Sequence, residues 1–165
     1  MDWRTAAIWV IGLALAMALA AVVAGQIGVF GGSLPNDLGV AGGRLKAPSK
    51  TPNCVSSQAG LHAGNPVQQS AMVAPLPLRG TVGQAMAQVR TAALGLPGAK
   101  LVSERPDYLY LQYRTRWLGF VDDAEFWADP AAGVVQVRSA SRIGRKDFGV
   151  NRERIEAIRA ALAAG

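Results

Sequence analysis

Residues 6–25, AAIWVIGLALAMALAAVVAG, contain neither a charge nor a proline. With a rise of about 1.5 Å per residue, about 20 apolar residues cross a hydrocarbon core about 30 Å thick. Nothing else in the chain constrains its arrangement as strongly, because such a run must either cross a bilayer or be removed. ALA at 18–20 has the small-x-small form of a signal-peptidase site. However, the apolar run exceeds the usual hydrophobic core of a signal peptide, about 7–15 residues, and Trp3 and Trp9 sit where interfacial anchors belong. The reading adopted is an uncleaved transmembrane anchor at 6–25, with a signal peptide as the alternative.

Arg4 is the sole basic residue ahead of the span. The expected topology therefore places residues 1–5 in the cytoplasm and the rest outside the inner membrane, in the periplasm. The net charge of +6 points first to anionic lipid headgroups or an acidic partner. Nucleic acid is not expected, since neither a recognition helix nor basic residues interleaved with exposed aromatics can be picked out. Cys54 is the only cysteine, so no internal disulfide can form.

Residues 26–50 are rich in glycine and lack apolar periodicity, which predicts a flexible linker. The soluble domain then spans 51–164. Its first part, 51–78, reads as loops and extended segments. Thr81 and Gln84 form a capping box. Val82, Ala85, Met86, Val89 and Ala93 follow on one helical face, closed by Gly95 and Pro97.

Four strands are predicted next, at 100–104, 107–117, 120–129 and 133–142, the last two forming a hairpin. Alternation puts Asp122, Ala124 and Phe126 on one face of the third strand, with Asp123, Glu125 and Trp127 on the other. On the fourth, Val135, Val137, Ser139 and Ser141 oppose Arg138 and Arg142. Asp123 and Glu125 are therefore expected across from Arg138 and Arg142. A final helix begins with Asn151 as N-cap, Val150 and Ile155 as a hydrophobic staple, and Ile155, Ile158 and Leu162 as its buried stripe, its charged residues facing water. The expected fold is α+β: an antiparallel sheet of about four strands with helices on one face, behind one N-terminal transmembrane helix.

Few residues suggest chemistry. Cys54 and His62 lie in a loop-rich region with no helix N-terminus behind the thiol, and they are too few to form a structural zinc site. No metal site and no cofactor are expected. Asp122, Asp123 and Glu125 are the one carboxylate cluster, either an acid/base pair or partners of Arg138 and Arg142. Ser139 and Ser141 lack a nucleophile elbow. The start of the last helix offers an anion-binding candidate, with Arg142, Arg145, Lys146, Asn151 and Arg152 around free backbone N–H groups.

Four blocks carry a family resemblance: TPNCVSSQA (51–59), APLPL (74–78), FVDDAEF (120–126) and RSASRIGRKDFGVNRERIEAIR (138–159). In this order they resemble the bacterial and plastid family named domain of unknown function 1499, over about residues 43–162. The resemblance implies a small domain, often behind one or more membrane spans, with no established reaction. Members often carry a second cysteine shortly before the PNC block and a histidine before the PL block. Here those places read KAPSK and SAMVAPL, so neither a disulfide or metal role for Cys54 nor a histidine mechanism carries over.

Three functional readings result. The first is a membrane-anchored domain that binds a partner protein, lipid headgroup or small anion. The second is an accessory subunit of a membrane complex, with Ala14, Ala18 and Gly25 permitting close helix packing. The third is a hydrolase-type enzyme using the carboxylate cluster.

Overall fold

A computed structural model describes residues 2–164. Helix α1 (Trp3–Gln26) is 24 residues long, and its most apolar stretch has a mean hydropathy of 2.6 and none of its residues buried. It is long and apolar enough to cross a membrane. The Asp2 carboxylate caps it by accepting from the Thr5 N–H.

The domain is an α+β sandwich. Its sheet is built from β1 (Cys54–Ser56), β2 (Leu76–Pro77), β3 (Ala99–Arg105), β4 (Tyr108–Arg114), β5 (Val121–Asp129) and β6 (Val134–Ser141). All pairings are antiparallel, in the order β1-β6-β5-β4-β3, and β2 shares the outer edge of β6 with β1. The sheet thus has two strands more than expected. Segments of three and two residues are too short to show a period, and only their pairing with β6 identifies them. The strand expected at 107–117 stops at Arg114, because 115–120 turns back toward β5.

Helix α2 (Gln68–Ala71) is a single turn, and helix α3 (Val82–Leu94) has both arms of its capping box in place. Helix α4 (Val150–Ala164) lies beside α3 on one face of the sheet. Between them and the sheet, Met86, Val89, Ile155 and Ile158 meet Leu109, Leu111, Phe126, Val135 and Val137. Phe126 is wholly buried, and withdrawing such a side chain from water stabilises the fold by about 1.5–3 kcal/mol.

The opposite face is covered too. The stretch expected to be a flexible linker carries Leu38, Val40 and Leu45, which pack on Tyr108, Tyr110 and Trp127. Leu45 is 2% exposed. Its N–H donates to Gln58 Oε1 (2.8 Å), and Gln58 Nε2 donates to Gly43 O (3.1 Å). Residues 33–50 therefore form a strap across the sheet. Three apolar side chains without helical or strand spacing were enough to attach it, which periodicity cannot register.

Helix α1 is also fastened to the domain. Arg114 Nη2 donates to the carbonyls of Gly25 (2.8 Å) and Gln26 (3.0 Å), and Gln26 Nε2 donates to those of Arg116 and Trp117. Phe30 rests on Phe120, with ring centroids 5.6 Å apart. Gly25 is required here, because a Cβ would lie 2.5 Å from the Leu118 carbonyl oxygen. The small residue expected to admit a second membrane helix admits the domain's own β4–β5 loop. Gly25→Val is predicted to separate this loop from the helix end. Trypsin would then cleave the detergent-solubilised chain at Arg114 or Arg116 several-fold faster than wild type.

Candidate functional site

The β5 carboxylates are divided between the two sheet faces, as strand alternation requires. On the strap side, Glu125 lies opposite Arg138 and accepts its Nη1 at 3.3 Å. Glu125 Oε1 also accepts the Gly39 N–H at 2.7 Å and the Tyr108 hydroxyl at 2.8 Å. Asp123 accepts a two-point contact from Arg142, Nε at 2.9 Å and Nη2 at 2.8 Å, together with the Tyr110 hydroxyl at 2.6 Å. Burial and the neighbouring carboxylates push both phenols above their ordinary range. Both tyrosines therefore remain donors to those carboxylates.

Asp122 points to the helix side. Its Oδ2 accepts Arg154 Nη2 at 2.7 Å, and the same guanidinium donates through Nη1 to Ser139 Oγ and Asn151 Oδ1. Its carbon lies 4.2 Å from the centroid of the Tyr113 ring. The expectation that the charged residues of the last helix face water fails at Arg154, whose side chain is 8% exposed. A one-face helix pattern cannot reveal an arginine recruited by a carboxylate on a neighbouring strand.

With both oxygens of Asp123 and Glu125 occupied and Asp122 drawn to the other face, the cluster is a set of ion pairs. It does not present two carboxylates to a common substrate. Cys54 is buried in β1, and burial raises its thiol pKa, which disfavours the nucleophilic thiolate. His62 lies just beyond the short 3-10 turn Ala59–Leu61.

The five residues expected to gather an anion at the start of the last helix are dispersed. Arg142 is taken by Asp123. Arg152 Nη2 donates to the carbonyls of Ser70 (2.9 Å) and Met72 (2.8 Å). Asn151 is wholly buried, and its Nδ2 donates to Asn53 O and Ser141 Oγ. Only Arg145 and Lys146 are exposed. The expected N-cap is also displaced: Asn151 lies inside α4, and Asp147 accepts the N–H groups of Gly149 (3.2 Å) and Asn151 (2.9 Å). Asn151 is needed as a buried amide linking β1, β6 and α4, whereas Asp147 reaches the free donors from the loop. Val150 remains 44% exposed, so the expected staple with buried Ile155 is not closed from that side.

Glu125→Gln removes one charge of a buried pair and leaves Arg138 uncompensated, a loss expected to cost about 3–5 kcal/mol. Chemical denaturation in mild detergent measures it, and a paired Glu125→Leu/Arg138→Met replacement should recover most of it. Burial opposes ionisation of Asp147, but the two backbone N–H groups outweigh it and hold its carboxyl below the ordinary value. A carboxyl lowered in the folded state adds stability that is present above its unfolded pKa and lost as pH falls through the folded one. Asp147→Asn should therefore lower stability at neutral pH and flatten the acid limb of the stability profile below about pH 4.

No curated protein and no solved structure matches the chain. A family profile described as Protein of unknown function (DUF1499) matches residues 44–162, the whole sheet, both long helices of the domain and the end of the strap. The chain belongs to the DUF1499 family, here behind an N-terminal helix apolar enough to serve as an anchor.

Proposed function

We propose that this protein is a single-pass domain of the inner membrane that lies on the periplasmic side and binds anionic lipid headgroups through one end. The observation that carries this reading is a group of exposed apolar side chains beside the end of α1. Trp117 is 63% exposed, Phe120 37%, Ile143 37% and Phe148 92%. Phe120, Ile143, Phe148 and Lys146 surround one cleft of about 290 Å³, and Trp117 shares the loop that holds Gln26.

Phe148 supports the reading in its own right. It is the one non-glycine residue with positive φ among the described residues, at 55°, a conformation that L side chains seldom adopt. Strained backbone that displays a bare aromatic ring suits a surface that meets lipid. Arg116, Arg145 and Lys146 are exposed around this apolar group. Each basic residue near an anionic leaflet contributes about 1 kcal/mol of attraction. Because the β4–β5 loop is tied to the end of α1, this end of the domain is held at the depth where headgroups lie.

A nitroxide on Phe148→Cys tests the contact in the full-length protein reconstituted into anionic vesicles, with buried Cys54 unreactive under native conditions. The expected result is greater accessibility to oxygen than to an aqueous nickel chelate; the reverse would overturn the reading. Topology is tested separately. Alkaline phosphatase fused to the C-terminus should be active, and an inactive fusion would place the domain in the cytoplasm.

A further inference from the structure

We propose that the cleft between the strap and the sheet binds a phosphate monoester. This cleft has a volume of about 540 Å³ and is lined by four cations, Lys46, Lys50, Arg138 and Arg142, and two carboxylates, Asp37 and Asp123, among other residues. Its size lies within the range of small-ligand sites. It is distinct from the lipid-facing end, although Ser33 lies only a few residues beyond Phe30, which packs on that end.

Arg138 is the centre of the site. Its side chain is 5% exposed, its Nε is buried without a hydrogen-bond partner, and its one ion pair is the 3.3 Å contact with Glu125. A buried guanidinium normally uses most of its five donors, because leaving them empty carries a desolvation cost. Arg142, by contrast, holds Asp123 through two atoms and the Tyr110 hydroxyl through one. The charge of Glu125 is already shared with Gly39 N–H and Tyr108, so it compensates Arg138 only in part. The cationic fork at the floor of the cleft is thus under-supplied with acceptors.

The cations at the mouth are the second component. Lys50 is exposed and has no ion pair among the described residues. Lys46 pairs with Asp37, whose side chain is 58% exposed and able to turn away into water. A guanidinium fork at depth with two ammonium groups at the rim suits a tetrahedral phosphate, which can accept from several directions at once. Pro35, Ala47, Pro48 and Ala140 supply apolar wall for the organic part of the ester.

Isothermal titration of the full-length protein in a nonionic detergent tests this, with glycerol 3-phosphate and inorganic phosphate as probes and glycerol as the neutral control. Saturable, submillimolar binding of glycerol 3-phosphate is expected, with none of glycerol. Arg138→Gln and Lys50→Ala should each weaken it about tenfold, the effect of losing one charge-assisted hydrogen bond. Lys50 is exposed, so its variant tests the site even if Arg138→Gln does not fold. Nanodiscs containing phosphatidic acid distinguish the sources. Competition by the lipid assigns the site to a headgroup phosphate, and its absence assigns it to a soluble ester. No saturable binding, or binding unchanged in folded Lys50→Ala and Lys46→Ala proteins, would overturn the proposal. Because the titration is done in detergent, its outcome is independent of the nitroxide result at Phe148.

Discussion

Burying charge on the sheet face that the helices leave uncovered is the constraint on which much of this structure depends. Asp123 and Glu125 project from β5, Arg138 from β6 and Arg142 from just beyond β6 toward that side. A buried ion pair survives only when its remaining lone pairs and donors are supplied. Tyr108 and Tyr110 supply two hydroxyls from β4, and the strap supplies the Gly39 N–H. The strap is therefore part of the fold's electrostatics as well as its apolar cover. Its path from Ser33 to Lys50 is set by the groups it has to reach.

The same economy connects the two faces. Asp122, one residue from Asp123, joins Arg154, Ser139 and Asn151 in a network that reaches Asn53 at the edge of β1. Arg152 and Arg159 extend α4 over the 70–75 loop by donating to its carbonyls. Arginine is suited to this role because one planar group can satisfy several acceptors whose strands and loops are far apart in sequence. The basic charge of the domain is in large part internal cross-linking. Other basic residues, among them Arg44, Lys50, Lys100, Arg116, Arg145 and Lys146, are exposed to solvent.

The long elements were legible in the sequence because their periods are local. The capping box at Thr81 and Gln84, the β5–β6 hairpin and the alternation that separates Asp122 from Asp123 all depend on neighbours within a few residues. The Glu125–Arg138 opposition was readable for the same reason, since a hairpin makes register a matter of counting from its turn. Asn151, Arg154 and Gly25 were not. Each looked like a residue serving its own helix, as cap, solvated charge or small packing surface, and each is committed to a distant segment. Nothing within a single helix records that Asp122 recruits Arg154, or that Leu118 lies against Gly25.

By itself the sequence determined that an apolar helix precedes an antiparallel α+β domain of the DUF1499 family, and that acidic and basic residues share a sheet face. Hydrophobic period and short-range register carry that information. Tertiary structure alone decided that the glycine-rich segment becomes a strap, that the helix entrance is closed by Asp147, and that Arg138 is left with an unpartnered Nε beside a cleft. Those outcomes depend on which groups meet after the chain closes on itself. Buried polar atoms must be satisfied by whatever lies within reach, and that supply is fixed by the fold as a whole.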